Sequence, residues 1–290
     1  MSDHLLRILS EDGLVRASVA QTTNLVEEIR RRQQSDPTAT VAIGRLASGA
    51  ALMSSLLKGS QRIALGVEGN GPLRRLQAEA EACGSVRASL KQPVANLPLR
   101  QGHFDVANAV GKAGFLHVVK DLGLKEPYRG MVQLFSSEIA EDIAYYFTTS
   151  EQTPSSVGLG VELDQDGRVA IAGGFLLQLM PGAPEELADQ FEARIRSLPP
   201  TTEQFRNGAS SQQLAEGLFH DCPFRVVGET PLCFACHCSR QQSVSLLAML
   251  GREELAELMK EQQTVTVTCE FCRETYSFEQ EELASIKERL

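Results

Sequence analysis

Positive charge is what this sequence is short of, and the shortage excludes whole classes of partner. The 28 Lys and Arg residues face 37 Asp and Glu, a formal net charge of −9 over 290 residues. That balance opposes association with phosphate backbones and anionic membrane surfaces unless a local basic patch overrides it. The densest basic run, Arg30-Arg31-Arg32, is no such patch. Consecutive residues on a helix point in different directions, so the run reads as a solvated face. Neither nucleic acid nor membrane is an expected partner.

Long apolar runs are also missing: no stretch approaches the roughly 18 residues needed to cross a bilayer. The start, Met1-Ser2-Asp3-His4, lacks a charged segment followed by an apolar core and a cleavage site. The expected location is cytoplasmic. Catalytic motifs are equally scarce. Gly66, Gly69 and Gly71 lack the following Lys-Ser/Thr of a phosphate-binding loop and read as a hairpin. There is no GxSxG elbow, and the five histidines, His103 and His117 among them, sit apart. Glu138, Glu141 and Asp142 share a helical segment and read as a solvated face. No internal repeat or low-complexity tract is visible. The chain is not expected to be an enzyme.

What the sequence does have is cysteine, gathered at one end. Cys236 and Cys238 form a CxC, and Cys269 and Cys272 a CxxC about thirty residues on. Two close thiolate pairs of this kind make a tetrahedral shell for a soft-binding divalent ion, zinc above all. Four thiolates leave no position for water or substrate, so such a zinc is structural. Cys233 makes a second CxxC with Cys236, and His237 lies within the CxC; the spacing leaves both open as ligands. Cys83 and Cys222 read as small hydrophobes. Thiolates are oxidisable, and their oxidation would eject a bound metal. Clustering toward one end suits a reducing compartment better than a disulfide framework.

The rest of the chain reads as α+β. Residues 1–182 form the larger N-terminal domain, with hairpins expected around Asp12-Gly13, Gly69-Asn70-Gly71 and Asp164–Gly167. Further strands are expected at Val86–Leu90, Phe115–Lys120 and Tyr128–Leu134, and helices at Asn24–Gln34, Thr38–Leu57 and Ser137–Thr149. Strands joined mainly by hairpins argue against a doubly wound sheet. Residues 183–232 read as a linker of conditional stability. Its helix over 184–198 carries Leu187, Phe191, Ile195 and Leu198 on one stripe, and the anchors that follow, Phe205, Leu214, Leu218 and Phe219, are sparse. Helices of that kind need a partner surface. Residues 233–290 read as a small zinc domain of two short helices, a hairpin through Val265, Val267, Tyr276 and Phe278, and a closing helix. Fewer than about 60 residues are marginal on their own core, whereas structural zinc supplies about 10–16 kcal/mol of coupled binding and folding.

Nearly the whole chain resembles the thirty-three-kilodalton heat-shock protein family, the redox-regulated holdase chaperones. The resemblance is carried by Cys236-His237-Cys238-Ser239-Arg240, by Leu250-Gly251 with Glu254, and by Cys269-Glu270-Phe271-Cys272 followed by Tyr276 and Phe278. Upstream it is carried by Lys120–Gly123, Pro127-Tyr128 with Gly130, Glu138–Asp142, Tyr145–Phe147, Ser150–Gln152, and Ala172–Phe175 with Gln178 and Met180–Gly182. Departures include Arg87-Ala88-Ser89, Ser137, Gln241-Gln242 and the additional Cys233; none is one of the four matched cysteines. The resemblance implies that Cys236, Cys238, Cys269 and Cys272 are both zinc ligands and redox-active cysteines. It implies disulfides Cys236–Cys238 and Cys269–Cys272 on oxidation, zinc release, linker unfolding, and capture of unfolding client proteins without ATP. It further implies a monomer when reduced and a homodimer when oxidised. The rival readings are a zinc-ribbon module for nucleic acid or another partner, and a thiol–disulfide exchange enzyme. Glu270, Glu274, Glu279, Glu281 and Glu282 around the knuckle oppose the first, and the absent βαβ pattern opposes the second.

Overall fold

Asp12 and Gly13 turn the chain where the pattern asks for a hairpin. Asp12 accepts from the Ser10 hydroxyl at 2.6 Å and from Leu14 N at 3.0 Å, and Gly13 takes φ +74°. Strands β1 (His4–Ser10) and β2 (Val15–Gln21) pair antiparallel on either side. The structure, a computed structural model, describes residues 2–290; Met1, the first residue of the expected N-terminal domain, lies outside them. It divides into two compact units, one ending at Ala235 and the other spanning Cys236–Leu290.

In the first unit, α1 (Thr23–Gln33) and α2 (Pro37–Ser54) follow β2. A meander β3 (Arg62–Gly69), β4 (Arg75–Glu81), β5 (Ser85–Leu90) comes next, then a short α3 (Val106–Val110). β6 (Gly114–Asp121) and β7 (Tyr128–Gln133) extend the meander on its other side, and α4 (Ala140–Thr149) leads to the hairpin β8 (Ser155–Leu163) and β9 (Val169–Leu179). Helices α5 (Glu185–Ser197), α6 (Thr201–Arg206) and α7 (Ser211–Phe219) precede β10 (Phe224–Pro231) and the two-residue β11 (Cys233–Phe234). One sheet runs β10-β1-β2-β9-β8, entirely antiparallel. The other runs β11-β5-β4-β3-β6-β7, antiparallel except for the β11–β5 edge pair. This is the α+β class expected.

Helix α2 is the centre of the larger core. Only Pro37 and Arg45 escape burial, and its apolar residues share one cluster with Leu5 and Ala20 of the first sheet and Ile63, Leu65, Leu76 and Val118 of the second. Close packing requires Gly44, where a Cβ would lie 2.6 Å from Val26 Cγ1 and 2.8 Å from Val161 Cγ2. The opposite face of the first sheet presents Leu6, Ile8, Val15, Val19, Phe175 and Leu177. Phe191 of α5, Phe205 of α6 and Leu214, Leu218 and Phe219 of α7 cover it. The segment 183–232 thus forms an outer helical layer, and β10 adds an edge strand to β1. β10 and β11 were not expected from the sequence. Their pairing partners lie in distant segments, and Phe224–Pro231 is exposed over most of its length.

Two local expectations are corrected. α4 begins at Ala140 rather than Ser137, because Ser137 (φ +66°) and Ile139 (φ +71°) are left-handed. Asp142 is not on a solvated face. It is buried, and its carboxylate accepts from the backbone N–H of Phe135, Ser136, Ser137 and Ile139 at 2.7, 3.0, 3.2 and 2.8 Å. Arg30, Arg31 and Arg32 stay near the surface, paired with Glu27 and Glu28 along α1.

The second unit comprises α8 (Arg240–Met249), α9 (Gly251–Glu261), the hairpin β12 (Thr264–Thr268) and β13 (Thr275–Glu279), and α10 (Gln280–Glu288). Its core is small: Leu247, Leu255, Val265, Phe278, Leu283 and Ile286. No helix among the described residues is long and apolar enough to cross a membrane.

Candidate metal centre

The two cysteine pairs arrive from differently built segments of the second unit. Cys236 and Cys238 precede α8, whose start is fixed by a capping box. Ser239 Oγ accepts from Gln242 N at 3.3 Å, and Gln242 Oε1 accepts from Ser239 N at 3.1 Å. Cys269 and Cys272 lie on the turn joining β12 to β13. Cys269 N donates to Glu274 O at 2.8 Å and Arg273 N to Cys269 O at 3.0 Å, with Arg273 left-handed at φ +63°. Below the turn the hairpin alternates as the sequence pattern requires, pairing Val265 with Phe278 and Val267 with Tyr276.

Arg240 holds these parts in register. Its guanidinium donates to Ser277 O at 2.8 Å and to both oxygens of Glu282 at 2.7 and 2.9 Å, and it lies 4.4 Å from the centre of the Phe278 ring. One side chain thereby joins the residue two beyond Cys238 to β13 and α10. The sequence singled out Arg240 by its motif but not for this role; an Arg directly after a CxC and N-cap serine is the signal that was available.

The four sulfurs converge. All lie within 4.8 Å of one another, with Cys236 Sγ 3.7 Å from Cys269 Sγ and Cys238 Sγ 3.2 Å from Cys272 Sγ. Tetrahedral zinc–thiolate bonds of about 2.3 Å set sulfur–sulfur edges of about 3.8 Å, so the arrangement is near the size such an ion demands. The chemistry of the donor set points the same way. The thiols are half-buried, and without a cation among them burial pushes Cys269 and Cys272 up, away from the thiolate form. Only a positive charge at their centre makes four adjacent thiolates favourable. The Tyr276 hydroxyl, 3.4 Å from Cys238 Sγ, is pushed up to about 12 by that contact. Four cysteines are thus positioned to bind a metal ion, and the set is compatible with zinc.

The clustered set is made of Cys236, Cys238, Cys269 and Cys272; neither Cys233 nor His237 belongs to it. Cys233 lies in β11 of the first unit, beside Ser85 of β5. Cys222 packs half-buried against the core under α5–α7, as a small hydrophobe should. Cys83 does not; it is exposed in the β4–β5 turn. The upstream motifs serve packing in the first unit. Lys120, for example, forms an ion pair with Glu151 and lies 5.9 Å from the ring centres of Tyr128 and Phe147.

Comparison with known proteins gives a consistent result. A family model described as Hsp33 protein matches residues 3–279. The 33 kDa chaperonin of Syntrophotalea carbinolica is 53% identical over 286 residues, covering 99% of each chain. That of Geobacter sulfurreducens is 48% identical over 290 residues, 100% of this chain and 96% of the relative. Among solved structures, the 33 kDa chaperonin (heat shock protein 33 homolog) of Thermotoga maritima superposes with a TM-score of 0.93 at 37% identity, covering 100% of this chain and 99% of that one.

Proposed function

The chain belongs to the Hsp33 protein family and is a chaperone of that family, and from that premise we propose that its holding activity is gated by the redox state of Cys236, Cys238, Cys269 and Cys272. The observation that carries the reading is the convergence of the four thiols in a unit whose own apolar core is small. Zinc, when bound there, supplies positive charge and a tie between the CxC and CxxC segments, coupled to folding by about 10–16 kcal/mol. Cys236 and Cys238 then serve as one half of the shell, Cys269 and Cys272 as the other.

Oxidation removes the thiolates. The Cys236 and Cys238 thiolates give up two electrons in forming one disulfide, while the O–Cl bond of hypochlorous acid breaks and the oxidant leaves as chloride and hydroxide. A second equivalent joins Cys269 to Cys272 in the same way. Each new bond closes only a tiny loop, so the long-range tie between the segments is lost and the second unit loosens. Residues 183–232 are the part of the first unit that follows. Their helices are short, and their hold on the sheet rests on a few anchors, Phe191, Phe205, Leu218 and Phe219. Release of that layer uncovers apolar surface on both the helices and the sheet, which is what an unfolding client would bind. No ATP and no catalytic turnover are assigned. The active form is read as a homodimer, the reduced form as a monomer, and the compartment as the cytoplasm.

The test is light scattering from a heat-unfolding client, with metal-loaded reduced protein beside the same protein treated with hypochlorous acid. Metal release and free thiols are counted on the same samples. Suppression by the oxidised, metal-free form alone supports the reading. Metal loss with no gain in suppression overturns it.

A further inference from the structure

Two thiols outside the cluster lie at the same edge of the six-stranded sheet. Cys83 lies in the turn between β4 and β5, and Cys233 opens β11; they are far apart in sequence and both are exposed. β11 pairs in parallel with β5, placing Cys233 opposite Ser85 and Phe234 opposite Val86. Residues opposite one another on neighbouring strands share a face of the sheet. On that face Cys83 Sγ is 3.3 Å from Ser85 Oγ and 3.5 Å from Glu81 Oε2. The backbones are in direct contact as well. Cys233 N donates to Gly84 O at 3.1 Å, and a Cβ on Gly84, which holds φ +93°, would lie 2.0 Å from Pro231 O. The next residue, Phe234, lies 4.5 Å from the guanidinium carbon of Arg32, which keeps β11 seated.

We propose that Cys83 and Cys233 form a reversible disulfide under oxidation, a redox site separate from the four-thiol cluster. Both thiols are accessible to a small oxidant, and Ser85, whose hydroxyl lies beside Cys83 Sγ, is the strand partner of Cys233. Bridging requires Cα atoms within about 4.4–6.8 Å; β11 is two residues long and at a sheet edge, so the adjustment is local. With a peroxide as oxidant, the two thiols lose two electrons and two protons, the S–S bond forms, the O–O bond breaks and two waters leave. The bond fastens the chain to the first unit just ahead of Cys236. One consequence rests on the redox reading proposed above. When residues 183–232 open in the oxidised protein, the segment stays anchored at both ends, so the opening does not spread into β11.

The experiment oxidises the full-length, metal-loaded protein with hydrogen peroxide, alkylates remaining thiols and maps tryptic peptides. The expected product is a reducible cross-link between Leu76–Arg87 and Val226–Arg240, with loss of Cys83 alkylation. The cross-link disappears in both Cys83→Ser and Cys233→Ser. Full alkylation of Cys83 after Cys269–Cys272 has closed overturns the proposal, as does a cross-link that survives in Cys233→Ser through Cys236 or Cys238. Closure of Cys83–Cys233 while Cys269 and Cys272 stay reduced upholds the new site and counts against the redox reading of the cluster. The two failures are therefore separable.

Discussion

Cys238 Sγ lies 3.2 Å from Cys272 Sγ, and Cys236 Sγ 3.7 Å from Cys269 Sγ, so each of these close contacts runs between the CxC and the CxxC. A disulfide across that gap would keep the long-range tie that the local pairs abolish. Four ligands at the corners of a tetrahedron are nearly equidistant, so the crossing proximity confers no preference on a metal-loaded site. Once the unit loosens, chain entropy favours the short loops.

Disulfide mapping after hypochlorous acid treatment is therefore expected to find Cys236–Cys238 and Cys269–Cys272. A dominant Cys238–Cys272 bond would mean that oxidation staples the second unit, and the release mechanism would fail.

Metal removal tests the same tie without oxidation. A chelator applied under reducing conditions should unfold the second unit, whose buried core is six side chains, and leave the first largely intact. Hydrogen exchange reads this directly, with protection lost across β12, β13 and α10 but kept in α2 and β3. Persistence of protection at Phe278 and Leu283 without metal would show that the apolar core suffices.

Much of this architecture was legible in the sequence, for local reasons. Asp12-Gly13 and Asp164–Gly167 carry their own turn chemistry, and the hairpins form there. The cysteine pairs announce the metal centre by spacing alone. What could not be read was non-local. β10 pairs with β1 from the far end of the first unit, and Val226 and Val227 are exposed, so no buried alternation marks the strand. Asp142 looked like one acid on a solvated face because its four donors come from a loop whose shape the sequence does not display. Cys83 and Cys233 gave no hint of each other because their place at one sheet edge depends on the parallel β11–β5 pair.

Asp142 supplies a stability prediction. Asp142→Ala would leave the N–H groups of Phe135, Ser136, Ser137 and Ile139 without their shared acceptor, two of them on left-handed residues. Hydrogen bonds to a charged acceptor are worth about 1.5–3 kcal/mol each. The variant should lose at least about 3 kcal/mol in denaturant unfolding of the first unit, and Asp142→Asn less. A loss below about 1 kcal/mol would show that water replaces the carboxylate.

Acid sensitivity should trace in part to Glu27. Its carboxyl is held below the usual range, first by the Arg30 hydrogen bonds at 2.8 and 2.7 Å and then by Val169 N at 2.9 Å. A depressed folded value contributes stability that is present above the unfolded value of about 4.3 and is lost as pH falls through the folded one. The side chain is 31% exposed, and solvent screening keeps the contribution to at most about 1 kcal/mol. Glu27→Gln should flatten the acid limb of a stability–pH curve below about pH 5. An unchanged limb would assign the acid sensitivity elsewhere.

Phe219 offers a way to open the outer layer without touching a thiol. Its ring is fully buried under α7, 5.7 Å from Phe191 and 5.0 Å from Phe224 between ring centres. It thus joins α7, α5 and the start of β10. Phe→Ala in a core costs about 3–5 kcal/mol, a large share of what so thin a layer can hold. Reduced, metal-loaded Phe219→Ala should therefore suppress client aggregation with no oxidant present. Gly160→Ala should act in the same direction but less, since its Cβ would lie 2.3 Å from Thr202 Cγ2 of α6, the end of a short side chain. Hydrogen exchange over residues 183–232 supplies the control. If that layer opens in reduced Phe219→Ala and clients still aggregate, the client-binding surface lies elsewhere, and release of the helical layer is not the activating event.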